Sequence, residues 1–333
     1  MKKKRAEKSI EEKVKEITEK IDSGIQEMFE SEKFKSYLNT ISKFYRYSFN
    51  NTVLIAIQKP TATAVAGFKA WEQKFDRHVK KGEKGIQILA PILVKQEKLK
   101  LPEKEETKDE KDKFVIRGFK PTYVFDIDQT EGKELPKLCI PITGKIGGFE
   151  EKKKILMELS PVPITFETME NMRANGYFSR TEQKIVVKDS LEEAHLLKTM
   201  IHEIAHATIH NEEDKIKDRQ TKEVEAESIA YTVCNYMGLD TSSYSFGYIA
   251  GWSENKELKE LKKSMELIRS VAIGLIEKIE EKQLAMEKSK EHSLSQDYKE
   301  LENVKIITPT WNFESLKKNI NLKLAKEVAE YER

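Results

Sequence analysis

The sequence predicts an α+β protein built in two successive parts and followed by a helical extension. Three observations predict it. Apolar residues recur at spacings of three and four near the N-terminus and again beyond residue 258. Two stretches rich in Ile, Val and aromatics lie between residues 85 and 127. The segment TMIHEIAHATIH (199–210) sets two histidines four residues apart. With 333 residues the chain is long enough for two domains that each bury a core. Lys plus Arg (59) nearly cancel Asp plus Glu (57), so any nucleic-acid surface must come from local segregation of charge. A charged fraction of 35% assigns part of the chain to solvated helix or loop.

Residues 7–45 place Ile10, Val14, Ile17, Ile21, Ile25, Met28 and Phe29 on one helical face, with a break expected at Gly24. The basic start MKKKR is cut off by charges before any apolar run begins, and no window is apolar enough to span a bilayer. Cys139 and Cys234 are far apart and form no C-x-x-C pair. A reduced, cytoplasmic setting follows as the expectation. Asn51 is expected to cap a helix through TVLIAIQ. GIQILAPILVK and FVIRGFKPTYVFDI read as strands of one hairpin, joined by a charged loop at 95–113. Glycine density in PITGKIGGFE marks a domain boundary near 140–150. Beyond it VPITFE, a turn region at Gly176 and KIVVKD suggest a small sheet, with KIVVK as the edge that an extended peptide would join, and helices follow from about Leu191. Leu258, Leu261, Met265, Ile268, Ala272, Leu275 and Ile279 form a coiled-coil-like seam, and a helix packed back onto the preceding part, the favoured expectation, gives the same pattern. The tail past about residue 285 is polar.

Within TMIHEIAHATIH, residues i and i+4 lie one turn apart, so His202 and His206 can present imidazole nitrogens to one cation. Glu203 borders that face, where a carboxylate can accept a proton from water; this is the mechanical content of H-E-x-x-H. Two histidines do not complete a zinc site, and KEVEAESIAYTVCNYMGL can supply the third ligand. Its stripe of Ala226, Ala230, Cys234 and Met237 is apolar. On a wheel of about 100° per residue, Glu223 and Glu227 fall toward the interior and Glu225 roughly opposite. An inward carboxylate needs a partner, and a cation on the first helix provides one. His210 lies about 12 Å along the axis from His202 and is read as a hydrogen-bonding neighbour instead of a ligand. His78, His195 and His292 are read as structural.

IHEIAHATIH followed by EVEAESIAYTVCNYMGLDTSSYSFGYIAGW resembles the metallopeptidase domain of ArdC-type antirestriction proteins and, more loosely, the ImmA/IrrE metallopeptidases. YSFNNTVLIAIQKPTATAVAGFKAWEQKFDRHVKKGEKGIQILAPI resembles the single-stranded-DNA-binding domain of the same family. The resemblance covers roughly residues 10–255. It implies an N-terminal α/β domain for single-stranded DNA (1–145) and a mostly helical zincin-like metallopeptidase domain with a small sheet (146–255); the charged loop at 95–113 and the helical extension with its polar tail (256–333) depart from the family core. It also implies Zn2+, or another divalent ion, on His202, His206 and Glu223, with Glu203 as general base and Glu227 as the substitute ligand.

Single strands are held by cations along the backbone and aromatic faces under the bases. Candidates for DNA contact are Arg46, Tyr47 and Asn50, and the cluster Arg77, Lys80, Lys81 and Lys84 beside Gly82 and Gly85. Phe68, Trp71 and Phe75 fall at helical spacing and divide between core and stacking. The expected function is a single-stranded-DNA-binding antirestriction protein of a mobile or conjugative element. Two other expectations are a regulatory metalloprotease that cleaves a repressor or host protein, and a binding scaffold with a vestigial metal site. Oligomeric state is left open.

Overall fold

A computed structural model describes residues 9–95, 114–134, 148–169, 174–210, 218–241, 244, 246–254 and 256–303. The charged loop at 96–113, most of the glycine-rich boundary with Cys139, and the tail from 304 onward lie outside the described residues. The chain divides into two compact units, 1–283 and 284–333; in the second, residues 284–303 are helical.

Helix α1 (Ile10–Glu27) opens with a reciprocal capping box between Ser9 and Glu12. It runs through Gly24 and ends before α2 (Ser31–Lys43). The expected break at Gly24 is therefore corrected. A Cβ there would stand 2.9 Å from Ile57 Cγ2, so the glycine serves close approach to α3 (Phe49–Gln58). Ser48, not Asn51, caps α3. The Asn51 amide instead donates to the Leu89 carbonyl and accepts from the Leu89 N–H, each at 2.9 Å.

The first sheet has the order β1 (Val65–Gly67), β4 (Phe114–Asp126), β3 (Ile86–Lys95), all antiparallel. Its long hairpin matches the two strands expected from the sequence. Gln58 repeats at Gln87 what Asn51 does at Leu89, so two side-chain amides of α3 satisfy the open edge of β3 where another strand would otherwise add. Ile86, Ile88 and Val124 join Phe44, Ile55 and Ala62 in the core beneath that sheet. Helix α4 (Phe68–Phe75) buries Trp71, whose indole N–H donates to the Phe125 carbonyl. β2 (Arg77–Val79) pairs with β5 (Thr130–Gly132).

After α5 (Phe149–Leu159), a second sheet has the order β6 (Ile164–Glu167), β8 (Lys184–Lys188), β7 (Gly176–Ser179). KIVVK is thus the central strand, bonded on both sides, and the edges belong to β6 and β7. Gly176 is likewise not a turn residue: it opens β7. Helices α6 (Glu193–Ile209) and α7 (Arg219–Tyr236) pack on one another, and α8 (Ile249–Ser253) follows. In α9 (Leu258–Asn303), Leu261, Met265, Ile268, Ala272 and Ile279 are buried. This is the packing-back that the seam suggested. The Arg269 guanidinium reaches the Tyr47 carbonyl, and Glu280 accepts from Tyr236 at 3.0 Å, so α9 fastens α7 and the chain after α2.

Candidate metal centre

Leu196, Leu197, Met200, Ile201, Ile204 and Ala205 bury α6 on its apolar side and fix its rotation. That rotation turns His202 and His206 toward a cleft of about 580 Å³ and leaves Glu203 buried at its wall. Helix α7 starts at Asp218, whose carboxylate accepts from the Thr221 N–H at 2.7 Å and the Thr221 hydroxyl at 2.8 Å. One turn further, Glu223 faces the histidine pair.

His202 Nε2 and His206 Nε2 are 3.1 Å apart, and Glu223 Oε2 lies 3.7 Å from each. In a tetrahedral site with bonds of 2.0–2.1 Å, ligand atoms stand about 3.3 Å from one another. The triangle is therefore of the size that one divalent cation needs, and its two-nitrogen, one-oxygen donor set suits such an ion. Glu227 takes a different place from the one its rank as substitute ligand assumed. Its Oε2 is 3.0 Å from His202 Nδ1, on the far side of the ring, where it can fix the tautomer and present Nε2 to the cleft.

Burial opposes protonation of His202, but Glu227, Glu203 and Glu223 outweigh it and raise the imidazole pKa. Burial lifts the Glu203 carboxyl above the usual carboxylate range, against the pull of the two histidines. The His206 hydrogen bond holds Glu223 below that range, against its partial burial. A charged triangle beside a carboxyl of raised proton affinity is an arrangement suited to moving a proton.

Strand β7 forms the opposite wall, with Tyr177, Phe178 and Arg180 lining the cleft and the Phe178 N–H bonded to Glu203. A Cβ on Gly176 would stand 2.7 Å from Thr199 Cγ2 and 3.4 Å from Glu203 Cγ. Glycine here lets the edge strand lie against α6, the helix that carries the histidine pair.

His210 stands apart from the triangle. It is buried, with Nε2 3.2 Å from the Lys222 carbonyl and 3.8 Å from Glu225 Oε2. Glu225 itself corrects the wheel argument: it is 0% exposed, whereas the Glu223 side chain is 51% exposed. The wheel assumed that α7 has one solvent face. Val224 to Ala226 and Ser228 to Cys234 are all buried, and the side expected to meet water receives the Ser264 hydroxyl of α9. The run of small and apolar residues on every side of ESIAYTVC was the signal for that.

The DNA candidates scatter. Arg77 is a correction, being 9% exposed and committed to Thr130 and the Lys133 carbonyl, because its guanidinium ties β2 to β5. Tyr47 is half-buried against the first core. Arg46 is exposed and 3.8 Å from Glu280, and Asn50 is exposed on the first turn of α3. Lys80, Lys81 and Lys84 are exposed together on the turn at Gly82, with Lys80 Nζ on the Asp128 carbonyl.

Residues 6–125 match the family model of the N-terminal domain of the anti-restriction factor ArdC. The uncharacterized protein pXO2-81 of Bacillus anthracis is 29% identical over 342 residues, which covers 91% of this chain. The chain spans 57% of that relative's length. Two crystal structures of antirestriction ArdC from the R388 plasmid, metal-free and Mn(II)-bound, align at 20% identity with TM-scores of 0.43 and 0.45. The alignments cover 72% and 71% of this chain and 86% and 85% of theirs. What the chain shares with that family model is therefore confined to residues 6–125, which are similar to the N-terminal domain of the anti-restriction factor ArdC.

Proposed function

We propose that the protein binds single-stranded DNA through residues 1–145 and shields the DNA of a mobile element from restriction. In this reading residues 146–255 hold a divalent cation, Zn2+ by the donor set, on His202, His206 and Glu223. The triangle of 3.1, 3.7 and 3.7 Å edges carries the metal part, and the ArdC N-terminal domain supports the DNA part. Bound there, the cation would supply Lewis acidity toward water and a carbonyl oxygen. Glu203 would accept and return the proton, its affinity for it raised by burial. Strand β7 would align an extended peptide across the cleft by backbone hydrogen bonds, since its outer edge lines that space.

This adds peptidase chemistry as a second reading, favoured by a buried carboxyl at the cleft wall next to an edge strand. The variant Glu203→Gln separates the two. It should retain stoichiometric metal, and in a restriction-protection assay it should protect DNA as the parent does if binding alone is the activity. Loss of protection with metal and DNA binding intact would assign the effect to hydrolysis. Absence of metal uptake by the parent protein, measured by titration with Zn2+, would refute the metal part.

A further inference from the structure

Side chains alternate along the β3–β4 hairpin, and register decides which of them meet water. Ile86, Ile88 and Val124 point into the core. The pairs Gln87 with Tyr123, Leu89 with Pro121 and Pro91 with Phe119 therefore point to the other face. Past the irregularity at Ile92/Leu93, Leu93 pairs with Ile116. On that outer face Phe119 is 49% and Tyr123 54% exposed, and Phe68, whose ring meets Phe125 edge-on, is 56% exposed. Large exposed aromatics gathered on one sheet face call for an occupant.

Two features say which occupant. A Cβ on Gly85 would come within 2.9 Å of Tyr123 Cβ and 3.0 Å of Phe125 Cζ, so glycine lets these aromatic side chains lie close over the start of β3. Charge is the second. The strand residues 86–95 and 114–125 contain no Asp or Glu, while Arg117 is exposed at the register irregularity and Lys120, paired with Ala90, is exposed on the opposite face. A second copy docked here would bring Arg117 against its own kind with no acid on either strand to meet it. A polyanion with flat apolar bases meets both the rings and the charge.

We infer that this outer hairpin face is the platform on which bases of single-stranded DNA stack, with Phe119 and Tyr123 as the stacking rings and Arg117, at the register irregularity, as the phosphate partner. The inference rests on the single-strand reading above and relocates its contacts from the Arg77 cluster to β4. Phe119 and Tyr123 are two same-face steps apart, about 13 Å at the usual rise, so they would hold separate bases of one strand.

Binding of a fluorescein-labelled oligothymidylate, followed by anisotropy across a salt series, tests it. Phe119→Ala and Tyr123→Ala should each weaken binding roughly fivefold or more, and Tyr123→Phe should not. The two alanine variants should leave the slope of log affinity against log salt unchanged. Arg117→Ala should lower that slope by about one. Far-UV circular dichroism and the melting temperature should match the parent, since the rings are half-exposed. If the parent binds the oligonucleotide and the Phe119→Ala/Tyr123→Ala double variant binds equally well, the platform is refuted while the DNA reading stands. If that double variant also loses a self-association that the parent shows in sedimentation, the face belongs to a second copy. If the parent binds no oligonucleotide, the single-strand reading falls and this inference with it.

Discussion

The Ser264 hydroxyl donates to the Glu225 carboxylate at 2.8 Å, with both groups buried and 39 residues apart in the chain. It links α9 to the helix that carries Glu223, two residues upstream. The extension beyond residue 258 is thereby part of what holds α7 in place.

Removing that hydroxyl tests the link. A buried polar group deprived of a hydrogen-bond partner costs about 1–3 kcal/mol. Ser264→Ala should lower the urea midpoint accordingly and leave the unfolding slope unchanged. An unchanged midpoint would mean that the bond makes no net contribution to seating α9.

Glu227 and the metal ligands should separate in a metal titration. His202→Ala removes a corner of the triangle and should abolish stoichiometric binding of Zn2+. Glu227→Gln leaves all three corners in place but weakens the hold on His202 Nδ1, so affinity should fall about 10–100-fold with stoichiometry preserved. Loss of stoichiometry in Glu227→Gln would make Glu227 a ligand.

How much of this was legible follows from which forces the sequence encodes locally. The His202 and His206 pairing is a property of helical pitch alone, so spacing revealed it. The long hairpin was legible because alternation and turn-free runs are local as well. Gly24, Asn51 and Gly176 were misread for one shared reason. Their local meanings are break, cap and turn, yet each answers to a distant partner: Ile57, Leu89 and Thr199. Glu225 and Arg77 were misread because a charged side chain is assumed to seek water, and here each is enclosed by hydrogen-bond partners supplied from elements far along the chain. The outward face of the hairpin was hidden because strand register is set by pairing, which no single strand displays.

Gly176→Ala should show what the close approach of β7 to α6 does for the cleft. The added methyl overlaps Thr199 Cγ2 and crowds the Val186 carbonyl at 3.0 Å, so strand and helix must part. Overpacking of this kind costs about 1–3 kcal/mol. The melting temperature should fall, and any peptidase rate should fall with it because Glu203 loses the Phe178 N–H. A variant that melts like the parent would mean that β7 shifts freely.

Asp218 gives a prediction that depends on pH. Burial pulls its pKa up, but the Thr221 N–H and hydroxyl and the Lys256 ammonium at 3.3 Å outweigh it, and the net shift is below the ordinary value of 3.8. A carboxyl whose folded-state pKa is lowered adds stability that is present above its unfolded pKa and lost as pH falls through the folded value. Asp218→Ala should therefore cost about 1 kcal/mol at neutral pH, the usual effect of losing a helix cap. The difference between parent and variant should shrink as pH drops below 3.8, because protonation of Asp218 removes the same interaction from the parent. Urea midpoints of both proteins across an acid series measure it. A gap that stays constant into strong acid would mean that the neutral carboxyl caps α7 as well as the carboxylate does, and that charge at Asp218 is not what starts the helix bearing Glu223.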